Sequence, residues 1–248
     1  MKLYGMFFLF FISGYAHAFD HAPLARVLNE YVDERGNVDY SGLHKNRKVL
    51  DEYVALLANS GPETTPEHFQ TQEQKLAFYL NAYNALVIDG VLDRGPEKTS
   101  VWRGLISGYT FFVRMRVVVD GQETNLKSLE DDLIRAGFRD PRIHAAINCA
   151  SISCPRLRKE VFVADYLDAQ LDAAMREFVN DQRNVRVTTK TVALSAIFDW
   201  FEDDFLEFPE DAQAGFTIVD YVNRYRDDPI PRGLKVSYIK YDKGLNSQ

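Results

Sequence analysis

The stretch LAFYLNAYNALVIDGVL, Leu76 to Leu92, sets the tightest limit on what this chain can fold into. Apolar residues recur at Leu76, Leu80, Tyr83, Val87 and Val91 with the period of an α-helix, and most positions between them are apolar too. A helix that is hydrophobic on nearly every side belongs at the centre of a fold, with other elements packed around it. Thr71 and Gln74 stand three apart just before it, the spacing of a capping box, and predict where it starts. Within it, Asn81 and Asn84 occupy neighbouring parts of one face. Asparagine is a poor helix-interior residue, and an amide buried without partners costs on the order of 1–3 kcal/mol. Both amides therefore need partners, either the backbone of adjacent loops or the groups of a site.

The rest of the chain is arranged around that helix. Residues 19–66 read as a helical N-terminal segment whose most linker-like part is Asn59 to Pro66, and 67–248 as the core of a single domain. Thr110 to Val119 is β-branched and aromatic and reads as a strand, with Asp120-Gly121 as a tight hairpin turn. Leu126 to Ala136 reads as a short helix stopped by Gly137, Arg142 to Asn148 as a strand, and Asp165 to Val179 as an amphipathic helix. A second hairpin is expected across Val185 to Leu194, then helices from Ser195 and near Phe216 to Tyr225, and a last strand at Lys235 to Ile239. Helices come first and hairpins interleave later, which gives an α+β fold: a helical N-terminal part and the central buried helix packed on a mainly antiparallel sheet.

At the N-terminus, MKLYGMFFLFFISGYAHA carries one Lys, a short apolar run from Met6 to Ile12, and Ala16-His17-Ala18. That is the pattern of a secretory signal over residues 1–18, too short in its apolar run to span a membrane. The expectation is a periplasmic or secreted protein beginning at Phe19, with no membrane insertion after cleavage. The formal net charge of −7 disfavours nucleic acid and anionic membrane surfaces as partners, since both need clustered Lys and Arg. Two cysteines are too few for a disulfide scaffold, so the chain must fold by packing.

Both cysteines lie in RIHAAINCASISCPRL, Arg142 to Leu157, together with His144. A thiolate is a strong nucleophile, an imidazole can take the thiol's proton, and a third group can fix the imidazole's tautomer. His144, Cys149 and Cys154 supply two of those three parts. On a continuous strand positions 144 and 149 would face opposite sides, so their cooperation needs a bend, which Asn148, Ser151, Ser153 and Pro155 favour. The same spacing allows a disulfide between Cys149 and Cys154, or a buried inert pair, and these alternatives stay open. C-x4-C lacks the paired spacing of a zinc site, and neither a metal nor an organic cofactor is expected. Glu130 sits in the first turns of a short helix, where the helix dipole favours an acid. IFDWFEDDF, Ile197 to Phe205, reads as an amphipathic helix with a solvated acidic face.

VDYSGL (Val38 to Leu43), AFYLNAYNAL (Ala77 to Leu86), DPRIHAAINCASISCPRL (Asp140 to Leu157), IFDWFEDDF and YIKYDKGLN (Tyr238 to Asn246) together resemble the family known as domain of unknown function 547, over nearly the whole chain after residue 18. The resemblance implies no established reaction. It draws attention to Tyr40, Asn81, Tyr83, Asn84, Glu130, His144, Cys149 and Cys154, which fall on the family's characteristic positions. One departure is visible: the family pattern around Glu130 often looks like I-E-H, whereas this chain has Leu129-Glu130-Asp131.

The leading expectation is a thiol-dependent hydrolase or acyl/amide transferase acting on a small-molecule, peptide or envelope substrate, in a papain-like or transglutaminase-like arrangement. Cys149 or Cys154 would be the nucleophile, His144 the base, and Glu130 or Asn81 the group that orients the imidazole or polarises the carbonyl, with Tyr40, Tyr83 and Asn84 binding substrate. The rival is a non-catalytic envelope binding or accessory protein with a structural Cys149–Cys154 disulfide.

Overall fold

The computed structural model describes residues 18–95, 99–102, 107–209 and 212–248. The expected signal segment falls outside them except for Ala18. Three helices, α1 (Ala22–Tyr31), α2 (Tyr40–Lys45) and α3 (Lys48–Asn59), precede the central helix α4 (Gln72–Arg94). Thr71 caps α4 through a capping box with Gln74, and nearly every side chain from Leu76 to Leu92 is buried. The helix lies in a large apolar cluster with Leu24, Leu28, Leu43, Tyr53 and Leu57 from α1 to α3. Burial on all sides matches a sequence with no polar face.

The linker-like segment before α4 is held in place. The Asp120 carboxylate, almost fully buried, accepts the backbone N–H of Glu63 at 2.7 Å and of Thr64 at 2.8 Å, and the Thr64 hydroxyl at 2.7 Å. Asp120 and Gly121 form the expected tight turn, both at positive φ (55° and 72°), between β1 (Val117–Val119) and β2 (Gln122–Thr124). This conformation is the one two-residue hairpins favour. A Cβ placed on Gly61 would come within 2.5 Å of the Asp120 side chain. Gly61→Ala is therefore expected to push the carboxylate off its three donors and cost about 1–2 kcal/mol, read as a lowered urea midpoint with an unchanged slope.

Three of the expected elements differ. Thr110–Arg114 is π-helical rather than extended, and only Val117–Val119 is a strand. Phe111 is fully buried and Phe112 nearly so; a short apolar run buried on more than one side is as compatible with a helical turn as with a strand. The segment Arg142 to Asn148 is not a strand: Pro141–Ala145 forms a 3-10 turn, begun by Pro141 and capped by Asp140, whose side chain accepts the Arg142 N–H. Proline preset for a helical φ and an Asp cap outweigh the apolar run. The short helix after β2 does not stop at Gly137. It runs as Leu126–Ser128, a π-helical stretch Leu129–Arg135, and Ala136–Phe138, and ends where Arg139 takes a left-handed φ of 49°.

The C-terminal half follows expectation more closely. Leu167–Asn180 is a helix, β3 (Val185–Val187) pairs antiparallel with β4 (Thr191–Ser195), and β5 (Lys235–Ile239) joins β4 in parallel. The helix from Ser195 breaks at Phe201 into Ala196–Trp200 and Glu202–Glu207, and Ile218–Asn223 follows with its own capping box. These elements enclose a second apolar cluster, around Met175, Phe198, Phe205 and Val222. The fold is α+β, with its strands confined to two small sheets and α4 surrounded chiefly by helices. Among the described residues no helix is long and apolar enough to cross a membrane.

Candidate functional site

A cavity of about 340 Å³ opens where these parts meet. Tyr83 reaches it from α4, Glu130 and Asp131 from the π-helical stretch, and His144 from the 3-10 turn. Cys149, Cys154, Trp200 and Tyr241 complete that side, while Trp102, Tyr109 and Phe112 line another part of the wall. Both π-helical segments thus contribute lining residues; the extra residue per turn changes which side chains face inward, and such turns recur at functional sites. Trp200 and Tyr109, 51% and 58% exposed, form an open lip.

His144 is 2% exposed, and its Nε2 lies 2.7 Å from Oδ2 of Asp204. Arg135 holds the same carboxylate with two bonds, Nε to Oδ2 at 2.8 Å and Nη2 to Oδ1 at 3.1 Å. The Phe201 ring stacks on the imidazole, centroids 4.2 Å apart, and lies 4.6 Å from the Arg135 guanidinium. Burial lowers the His144 pKa despite the bond to Asp204, which would raise it. Burial would raise the Asp204 carboxyl, but the bonds from His144 and Arg135 outweigh it and hold the pKa below the usual carboxylate value. The pair is a neutral imidazole and a carboxylate. Because an ionised carboxylate only accepts, Nε2 carries the proton and Nδ1 keeps its lone pair. That nitrogen has no partner among the described residues and is the one available to the cavity.

Cys149 and Cys154 are joined in a disulfide, with Cα atoms 6.2 Å apart, so neither is a free thiol in this state. The Cys149 N–H donates to Cys154 Sγ at 3.0 Å. The Tyr241 hydroxyl lies 3.1 Å from one sulfur and 3.0 Å from the other; a disulfide has no proton to give, so Tyr241 is the donor. Ala150, fully buried in the loop, takes a left-handed φ of 60°, a conformation that costs a non-glycine residue on the order of 1 kcal/mol. The surrounding bonds impose it: the Ala150 N–H donates to Asn148 Oδ1, and its carbonyl accepts from Asn246 N.

Five of the eight residues singled out in the sequence therefore line one cavity: Tyr83, Glu130, His144, Cys149 and Cys154. The other three are not among its lining residues. Asn81 is bonded on both sides of its amide to the Phe162 backbone, at 2.8 and 2.9 Å. Asn84 donates to the Ala146 carbonyl and accepts from Asn148 N, and so fixes the loop that leads to Cys149. Tyr40 donates to Asn246 across 206 residues of sequence. The group on the imidazole is Asp204, not Glu130 or Asn81, and Asp204 is 4% exposed rather than part of a solvated face. Glu130 instead accepts the Tyr83 hydroxyl at 2.8 Å. Among the described residues no group of three His, Cys, Asp or Glu side chains is placed to hold a metal ion.

A family model described as Protein of unknown function, DUF547, matches residues 66–179. The chain belongs to the DUF547 family. The match spans about half of the chain, not nearly all of it. It takes in α4, Glu130, His144 and both cysteines but not the segments holding Tyr40, Asp204 or Tyr241. The DUF547 region thus supplies most of the cavity wall, and sequence outside it supplies Trp200, the partner of His144 and the hydroxyl on the disulfide. No curated protein and no solved structure matches the chain.

Proposed function

We propose that the chain is an exported ligand-binding protein whose cavity takes a small, flat, largely apolar molecule or peptide side chain, with the Cys149–Cys154 disulfide as part of the wall. The observation that carries this reading is the cavity itself: concave, walled mainly by aromatic rings, with a few polar groups converging on it, as small-molecule sites are. Export is supported by the apolar run Met6 to Ile12 and by a disulfide, which persists in oxidising compartments. That residues 19–248 act as one unit is supported by Asn246, which bonds Tyr40, Asn148 and the Gly36 carbonyl.

The chain has two tryptophans, Trp102 and Trp200, and both line the cavity. Selectively excited tryptophan fluorescence therefore reports on this site. A panel of small aromatic compounds is expected to include members that quench or shift it saturably, and Tyr109→Ala, which removes an exposed part of the lip, is expected to weaken them several-fold. A flat response to the whole panel, with no heat in calorimetry, would contradict the reading.

A second reading is favoured by one observation, the His144–Asp204 pair in the same cavity as both sulfurs. After reduction by a dithiol, Cys149 or Cys154 could act as nucleophile with His144 Nδ1 as base, the papain-like or transglutaminase-like chemistry of a thiol-dependent hydrolase or acyl/amide transferase.

A further inference from the structure

We infer that the cavity selects a flat organic monocation, a primary ammonium on an aromatic or similarly apolar body, with its nitrogen at Glu130 and its body against the rings of Trp102 and Trp200. The inference rests on the ligand-binding reading above and names the class of ligand.

The argument starts from the charges around the cavity. Lys127 is paired with Asp131, and Arg135 with both Asp131 and Asp204. Next to Glu130, two cations thus meet two carboxylates and His144 is neutral; a further cation, Lys243, lies over the Trp102 ring at 4.9 Å. Glu130 remains, and its single partner among the described residues is the Tyr83 hydroxyl on Oε2. A phenol can satisfy one lone pair of a carboxylate but supplies no charge, and Tyr83 itself stays protonated because burial drives its pKa well above the usual value. Glu130 therefore has no ion-pair partner of its own among the described residues, and only a neutral phenol on one of its oxygens.

Such a carboxylate is costly to bury unless a cation joins it. The upward shift of the Glu130 pKa, caused first by burial, is the same deficit seen from its titration. A ligand ammonium would donate to the free Oε1 while its body packs on the aromatic walls; the Trp102 ring, which already carries the Lys243 ammonium at 4.9 Å, shows that these walls accept cations. An anion would meet Glu130 with the wrong sign, and the two cations beside it, Lys127 and Arg135, are already engaged. A neutral ligand would gain the apolar wall but leave the carboxylate uncompensated.

The test uses three probes of one shape, 2-phenylethylamine, 2-phenylethanol and phenylacetate, titrated into the oxidised protein at pH 7 with tryptophan fluorescence and calorimetry as readouts. The amine is expected to bind roughly 10- to 100-fold tighter than the alcohol, the range of a charge-assisted hydrogen bond of about 1.5–3 kcal/mol, and phenylacetate is expected to bind weakest. Glu130→Gln keeps the shape and removes the charge, and is expected to bring amine and alcohol affinities together. Equal binding of amine and alcohol by the wild-type protein, or preference for phenylacetate, overturns the inference and leaves the ligand-binding reading standing. No binding of any probe overturns both. The wild-type comparison decides without the variant, so a folding defect in Glu130→Gln does not remove the test.

Discussion

Asp204→Ala is expected to cost about 3–5 kcal/mol of folding stability, the range for breaking a buried ion pair by removing one partner. Asp204 is nearly inaccessible and takes bonds from His144 and from two nitrogens of Arg135. Without it, the His144 N–H and much of the Arg135 guanidinium lose their acceptor inside the protein, and the imidazole loses the group that fixes its tautomer. Urea unfolding at pH 7 measures the loss. The pH dependence gives an independent check. Asp204 is held below the usual carboxylate value when folded, so its contribution is complete above an unfolded pKa of about 3.9 and is lost as pH falls through the folded value. The difference between wild type and Asp204→Ala should therefore be near its full size at pH 6 and shrink in acid below about pH 4. His144 adds an acid-side loss in both proteins, starting below the unfolded imidazole value of about 6.5, because its folded pKa is lowered; the loss is larger in the variant, which lacks the Asp204 bond that raises it, so the difference first widens below about pH 6.5. Glu130 and Asp89 act in the opposite sense: burial raises both, Asp89 to about 6, so their charged forms weaken the fold as pH rises. The difference between the two proteins removes Glu130 and Asp89, and its shrinkage below about pH 4 is the mark of Asp204. A constant difference down to pH 3 would contradict this assignment.

That residue also marks where reading the sequence stops. α4 was legible because its periodicity is local and unopposed, and the Asp120-Gly121 hairpin because the turn chemistry is local too. Asp204 was not, because Asp199, Glu202, Asp203 and Asp204 are equivalent as letters in an amphipathic pattern. Only the break at Phe201 separates them: it starts a new helix and carries Asp204 inward beside His144 while Glu202 and Asp203 stay exposed. The π-helical stretches were hidden for a related reason. A shift from a 3.6-residue turn leaves no compositional mark, and Thr110 to Arg114 carries residue types common in strands. Trp102 stood alone in the sequence and Tyr241 was one letter within YIKYDKGLN; their place at the cavity depends on contacts across long separations, such as Tyr241 to Cys149 at 92 residues and Trp102 to Ser151 at 49. The polar residues legible as unusual, Asn81, Asn84 and Tyr40, proved to brace loops around the cavity; a buried amide demands a partner whether that partner is backbone or ligand.

Cys149→Ser and Cys154→Ser are each expected to cost about 2–3 kcal/mol, and to cost the same within error. A bridge closing so short a loop, five residues apart in sequence, restricts the unfolded chain by about 2 kcal/mol. Loss of the bridge also releases a loop that holds Ala150 at a left-handed φ, and weakens the acceptor of the Tyr241 hydroxyl. Equality of the two variants is what a shared bond predicts; a nucleophile would make one serine substitution silence turnover and leave the other mild. Iodoacetamide should leave the native oxidised protein unmodified and label two thiols after reduction. The reduced protein then separates the two functional readings. If His144 Nδ1 serves as base for a thiol, one cysteine should alkylate far faster than the other near neutral pH, and His144→Gln should remove the difference, because an unassisted thiol of pKa about 8.5 is mostly protonated there. If the bridge is only part of a binding wall, both thiols should react slowly and alike, ligand affinity should fall with reduction, and His144→Gln should leave the alkylation rates unchanged.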